Sequence, residues 1–345
     1  MSRIFQYMSA RVVMPHVLHV APVDPRRATG LTARVYAELE ADFGMLAPPV
    51  ILHSPSPLVM AAAWALLRET LLVPGVLTRA QKEAVALEVS QKNRCPYCVD
   101  VHRASLGGLV GVSAVELAMS SPHDASVTSP LNPVVRSLRA IAAGRQELTT
   151  LSPTAVAELL GVAVAFEYLN RMVNVFLTDS PLPTDKAPAR WTARLIMGSL
   201  AKRTPAVGGS FGDHGDTALP PDLQWAEASP HIAAALAGAV GAFERAGHRS
   251  VPQEVRGLVE QLVTTSTLSH TWAGSGHLDG AISDLPADLR DVATFALLTA
   301  VASYRVPDAL VKRIKAHGLA DHALVDLAAW ATFAAARRVY QLPGN

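Results

Sequence analysis

Apolar residues recur at intervals of three and four through Pro57–Leu72, Arg79–Gln91, Pro133–Ala143 and Thr154–Phe176, while alternating β-branched runs are scarce. That period, with abundant Ala and Leu, predicts an all-α chain. Thr78 followed three residues later by Gln81 makes a capping box. Ser56-Pro57 and Ser152-Pro153 set a capping hydroxyl before a proline whose φ already suits a first helical turn. Between Arg203 and Pro221 the period lapses into RTPAVGGSFGDHGDTALPP, rich in Gly, Pro and Asp. Four parts are expected: an N-terminal extension over 1–29, a helical domain over 30–180, a linker region over 181–221 and a second helical unit over 222–345. The two helical units look faintly alike, Ser56-Pro57 matching Ser229-Pro230 and FEYLNR at 166–171 matching FAAARR at 333–338.

Composition narrows the function classes. A chain of 345 residues exceeds the size at which one core usually stops growing, which favours two domains. Half of its residues are hydrophobic and 17% charged, as in well-packed globular proteins. A net charge of +1 without a long basic run lacks the footprint of a nucleic-acid binder. Pro15, His16, His19 and Pro22 interrupt each early apolar run before it reaches signal-peptide length. The runs around Leu58–Leu67 and Ile232–Phe243 are about half of the ~20 residues a membrane-spanning helix needs. The expectation is a cytoplasmic protein with no membrane partner. Two cysteines rule out a disulfide-stapled scaffold and, three apart, point to redox chemistry or metal binding.

They lie in EAVALEVSQKNRCPYCVDVHRASLGG, residues 83–108. A helix over 79–92 should break near Asn93-Arg94, with Pro96 opening the next, so that Cys95 is its N-cap and Cys98 lies in its first turn. Free N–H groups at a helix start favour a thiolate and so reactive cysteines. His102, four residues after Cys98, shares its helical face, within reach of a hydrogen bond or one bridging water. Glu83 stands on an otherwise apolar face of the preceding helix. Burial there would raise its pKa and suit it to relay a proton, directly or through His102, with Glu88 as a rival on the same helix.

These residues resemble the signature of the alkylhydroperoxidase-D-like, or carboxymuconolactone decarboxylase, superfamily: a Glu twelve residues before Cys-x-x-C-x-x-x-H on adjoining helices. NRCPYCVDVH at 93–102 looks like the form common in its redox branch, and the resemblance extends over roughly 41–176, including FGMLAPPVILHSPSP at 43–57 and YLNRM at 168–172. It implies a helical fold that assembles into homo-oligomers, here a tandem pair whose second copy has degenerated: in register, Glu83, Cys95, Cys98 and His102 fall on Arg256, Leu268, Thr271 and Ser275. It also implies thiol-dependent reduction of a peroxide or small electrophile, with Cys98 as attacking thiol, Cys95 as resolving thiol, and Glu83 with His102 as proton relay. No organic cofactor and no metal are implied. The Cys95–Cys98 disulfide would be reduced by an external dithiol, either a thioredoxin-like or a lipoyl partner. One position departs: Tyr97 stands where well-known peroxidase members carry His between the cysteines.

Rival readings of the same residues remain. Cys95, Cys98 and His102 could supply three zinc ligands, although no second Cys pair accompanies them. The thiols could be structural, the motif a remnant in a binding or assembly protein, or the substrate an organic molecule other than a peroxide. Tyr97, His53 and Trp64 are weaker candidates for lining a substrate pocket. The pairs His270/His277 and His317/His322 lack convincing metal spacing.

Overall fold

The computed structural model describes residues 14–120, 131–145, 151–180, 187–207, 218–265 and 276–340. Among them lie α1 (Gly30–Glu38), α2 (Pro48–Ile51), α3 (Pro57–Leu67), α4 (Arg79–Lys92), α5 (Pro96–Val110), α6 (Val112–Ser120), α7 (Asn132–Ala142), α8 (Pro153–Phe176), α9 (Ala187–Ala201), α10 (Pro230–Ser250), α11 (Gln253–Thr265), α12 (His277–Ile282), α13 (Ala287–Ala302), α14 (Asp308–Ala316) and α15 (Asp321–Ala336). No strand occurs among the described residues, only one antiparallel bridge between Val17 and Leu177. The register partners Leu268, Thr271 and Ser275, with His270 and much of the 203–221 stretch, lie outside the described residues.

Local chemistry explains the helix starts. The Thr78 hydroxyl accepts from the Gln81 amide and the Gln81 side chain accepts from the Thr78 amide, so the capping box is complete before α4. Ser152 caps α8 through the Ala155 amide at 3.2 Å. Ser56 and Ser229 both occupy extended N-cap positions ahead of a proline, with φ, ψ of −121°, 90° and −138°, 95°, yet neither hydroxyl caps its own helix. Ser56 Oγ instead donates to Asp326 Oδ1 at 2.6 Å, across the sequence halves. The predicted helix over 57–72 is α3 followed by a wider π turn, Arg68–Leu72, which buries Arg68 against Asp42 and Glu69.

Helix α3 packs on α10 and α8 on α15, and buried apolar side chains of both halves form one continuous cluster. At its centre Tyr168 stacks on Phe243 at 4.8 Å and Phe243 meets Phe333 at 4.9 Å. The halves therefore do not have the separate cores that length alone suggested: their Ala-rich faces are apolar enough to be covered by each other. Helix α8 is long and apolar enough to cross a membrane, but 94% of its most apolar window is buried inside the protein.

Two segments differ from expectation. Residues 187–201, placed in the linker region, form α9, because Ala193, Met197 and Ala201 recur at helical spacing and bury one face. It packs on α5 at a glycine crossing, where a Cβ on Gly198 would stand 2.7 Å from the Gly108 Cα. The N-terminal extension, in turn, is docked from Met14 onward. Leu18 N donates to Phe176 O at 2.7 Å and Thr178 N to His16 O at 3.1 Å, laying residues 14–18 beside the exit of α8.

Candidate active site

The chain turns sharply between α4 and α5. Asn93 ends α4 and Arg94 adopts φ of 50°, a left-handed conformation that costs an L-residue about 1 kcal/mol. Its guanidinium lies over the Tyr304 ring at 4.9 Å, and the Cys95 amide donates back to Ser90 O at 3.0 Å. The turn sets Cys95 at the N-cap, Pro96 at the first helical position and Cys98 in the first turn of α5, as the spacing predicts. Both cysteines are free and buried, and the Cys95 side chain is a hydrogen-bonding neighbour of Cys98.

The two residues expected to relay a proton, Glu83 and His102, meet. His102 Nδ1 lies 2.6 Å from Glu83 Oε2, while Arg79, one helical turn before Glu83, holds the other carboxylate oxygen through Nε at 2.9 Å and a second guanidinium nitrogen at 2.8 Å. Burial works to raise the Glu83 pKa, but Arg79 and then His102 outweigh it and hold it below the ordinary carboxylate value. The expected upward shift is thus reversed, for a reason that lies in Arg79. With the carboxylate ionised, His102 donates from Nδ1, which leaves Nε2 as the nitrogen that can take a proton. Phe166 presses edge-on against the imidazole at 4.5 Å and fixes its plane.

At Cys98 burial, reinforced by the hydrogen bond and charge of Cys95, pushes the thiol pKa well above its ordinary value. The acidifying influence of the helix start is overridden, and the resting thiol is neutral. A base must therefore remove its proton before it can act as a nucleophile.

Cys98, His102, Glu83, Arg79 and Tyr97 open onto one cavity of about 330 Å³, within the usual size range of small-molecule sites. Apolar side chains form most of its wall, among them Phe43, Met45, Leu71, Phe166 and Leu169, with Ile196, Met197 and Leu200 of α9 on one side. Cys95 does not line it. Tyr97 does, and burial keeps its phenol neutral far above its ordinary pKa.

His53 and Trp64 are not lining residues. His53 is fully buried, with Nε2 2.8 Å from the Tyr168 hydroxyl and Nδ1 against Val50 O, and burial lowers its pKa to about 3. Trp64, also fully buried, donates from Nε1 to Glu38 at 2.8 Å. Both are packed in the core, Trp64 on an apolar helix and His53 in the turn between α2 and α3. Glu88, the rival carboxylate, is held by Arg139 of α7 at 2.5 and 2.7 Å and does not line the cavity. Among the described residues no group of three or more His, Cys, Asp and Glu side chains is arranged to hold a metal ion.

Sequence reasoning missed Arg79, His16 and α9. Arg79 was visible as a basic residue at i−4 from Glu83, a spacing that brings two side chains together on a helix. His16, from the N-terminal extension, carried no local signal for its place in the cavity wall.

The Carboxymuconolactone decarboxylase family model matches residues 57–126, which include Glu83, both cysteines and His102. The chain is also 35% identical over 336 residues to an alkyl hydroperoxide reductase of Mycobacterium tuberculosis, covering 94% of each protein. With these matches and an all-α fold, the chain belongs to the alkylhydroperoxidase-D-like, or carboxymuconolactone decarboxylase, superfamily.

Proposed function

We propose that the protein is a two-thiol hydroperoxide reductase. A peroxidase or reductase function at the level of the family is supported by the relative's name and by the family match. The observation that carries the finer reading is that Cys98 opens onto the cavity beside the His102–Glu83 pair while Cys95 sits behind it.

In this reading His102 Nε2 takes the Cys98 proton, and the thiolate attacks the terminal oxygen of a hydroperoxide. An S–O bond forms as the O–O bond breaks, the alcohol leaves after taking up a proton, and Cys98 becomes a sulfenic acid. Cys95 then attacks that sulfur, water departs, and a disulfide forms; an external dithiol, thioredoxin-like or lipoyl in kind, returns both thiols. Glu83, anchored by Arg79, stabilises His102 when it carries the proton. The apolar wall favours organic hydroperoxides over hydrogen peroxide. No metal or organic cofactor enters this cycle. Residues 222–345 are proposed as a diverged second copy that supplies, within one chain, contacts otherwise made between subunits, so that homo-oligomers contain fewer chains.

The test is stopped-flow reaction of the reduced protein with cumene hydroperoxide, with thiols counted before and after. Wild type should lose two thiols, Cys98→Ser should lose at least ~10³-fold in rate, and Cys95→Ser should stop at a trappable sulfenic acid. Two thiols that persist in wild type would exclude the reading and favour a non-redox enzyme or an assembly role.

A further inference from the structure

His16 lies 82 residues before Cys98 in sequence and outside the span of the family match, yet it forms part of the wall of the same cavity. The segment that carries it is fastened at several points. Val17 bridges Leu177, the His16 carbonyl accepts from Thr178 N, and Ser180 Oγ donates to Asp100 Oδ2 at 2.6 Å, which ties the same exit segment to α5 two residues beyond Cys98. The ring is oriented as well, since His16 Nδ1 lies 3.0 Å from Thr178 Oγ1. A hydroxyl can accept from a protonated Nδ1 or donate to a bare one, so this bond engages Nδ1 and leaves Nε2 as the ring nitrogen for another partner.

The cavity therefore holds two imidazoles with different attachments. His102 is bonded to the Glu83 carboxylate, which Arg79 anchors in turn. His16 is bonded to the Thr178 hydroxyl, which orients the ring. Of the other polar groups on the wall, Arg79 holds Glu83 through Nε and one terminal nitrogen while its Nη1 is unpartnered, Ser105 offers a hydroxyl that is a very weak acid, and the buried Tyr97 phenol is a weak acid.

We propose that His16 is a catalytic general acid that protonates the oxygen leaving the hydroperoxide. The proposal rests on the peroxidase reading above and adds a residue and a step to it. Cys98 sulfur bonds the terminal oxygen, the O–O bond breaks, and the departing alkoxide takes the Nε2 proton of protonated His16, which becomes neutral. His102 meanwhile holds the proton that came from the thiol. Exchange with water returns one proton to His16 and removes one from His102, and the net reaction is thiol plus hydroperoxide giving sulfenic acid plus alcohol.

Leaving-group dependence tests this directly. An alkoxide leaves poorly without a proton, whereas the acetate expelled from peracetic acid leaves without one. Reduced wild type, His16→Gln and Thr178→Val are each mixed with cumene hydroperoxide and with peracetic acid, and the rate of Cys98 oxidation is followed. For His16→Gln the expected result is a loss of ~10²-fold with cumene hydroperoxide and less than about threefold with peracetic acid, the selectivity of a lost general acid. Thr178→Val should show a smaller loss with the same selectivity, because the ring is present but unanchored. Equal losses on both oxidants would mean that His16 only shapes the site, and no loss on either that it is a bystander; both overturn the proposal. A wild type that reacts with neither oxidant would instead overturn the peroxidase reading itself.

Discussion

Two buried glutamates, Glu83 on α4 and Glu167 on α8, begin from the same arrangement and end in different roles. Each pairs with an arginine one helical turn away, Arg79 in one case and Arg171 in the other, and each is held below the ordinary carboxylate pKa, Glu167 at about 2. Around Glu167 the remaining partners are Lys92, Asn93 and the Tyr340 hydroxyl, which tie α4, α8 and the C-terminal segment into one knot. Around Glu83 the remaining partner is His102, and both open onto the cavity that holds Cys98. A buried ion pair is thus placed for structure when its other partners hold fixed charge or none, and is suited to the chemistry proposed above when one of them can exchange a proton beside an open space.

The comparison can be broken from either side. The largest expected effect is on stability: Glu167→Ala leaves Arg171 buried without its carboxylate and should lower unfolding free energy by about 3–5 kcal/mol in denaturant titration, while peroxide turnover per folded molecule stays near wild type. Glu83→Gln keeps the shape of the carboxyl but not its charge. It should slow Cys98 oxidation by ~10²-fold, read by stopped flow, with a smaller change in melting temperature than Glu167→Ala. If the two variants exchange these signatures, the assignment of roles is wrong.

Acid titration gives the smallest and sharpest test. His53 has its pKa lowered from 6.5 to about 3, so the unfolded chain binds its proton first; the stability linked to neutral His53 is complete above pH 6.5 and is lost as pH falls toward 3. Glu167 contributes in a lower window, complete above pH 4.5 and lost toward 2. Unfolding free energy should therefore begin to decline near pH 6.5, by ~1 kcal/mol per pH unit for each proton taken up, and most steeply between pH 4.5 and 3, where the two windows overlap. His53→Gln should flatten the decline between pH 6.5 and 4.5 and make it shallower between 4.5 and 3, while leaving the part below pH 3.

What the sequence made legible was local. The break at Asn93-Arg94, the N-cap at Cys95 and the shared face of Cys98 and His102 follow from proline geometry and helical spacing, and the structure reproduces them. The sign of two pKa shifts was not legible. The Cys98 shift depends on burial in the folded chain, and the Glu83 shift depends on Arg79, which at a helix start reads as a solvated cation until tertiary packing covers it. Helix α9 was hidden by its flanks, since Gly- and Pro-rich neighbours made a helical segment look like part of a linker. His16 was hidden by distance, as its bond to Thr178 spans 162 residues and leaves no periodic trace.

The glycine crossing between α5 and α9 works as a gauge. Hydrogen atoms alone separate Gly108 from Gly198, so backbone thickness sets how closely α9 lies over the chamber, whatever the chemistry inside. A single methyl at either position has to raise the roof. The aperture can therefore drift during evolution, or be re-cut by design, while the thiols, His102 and Glu83 stay untouched.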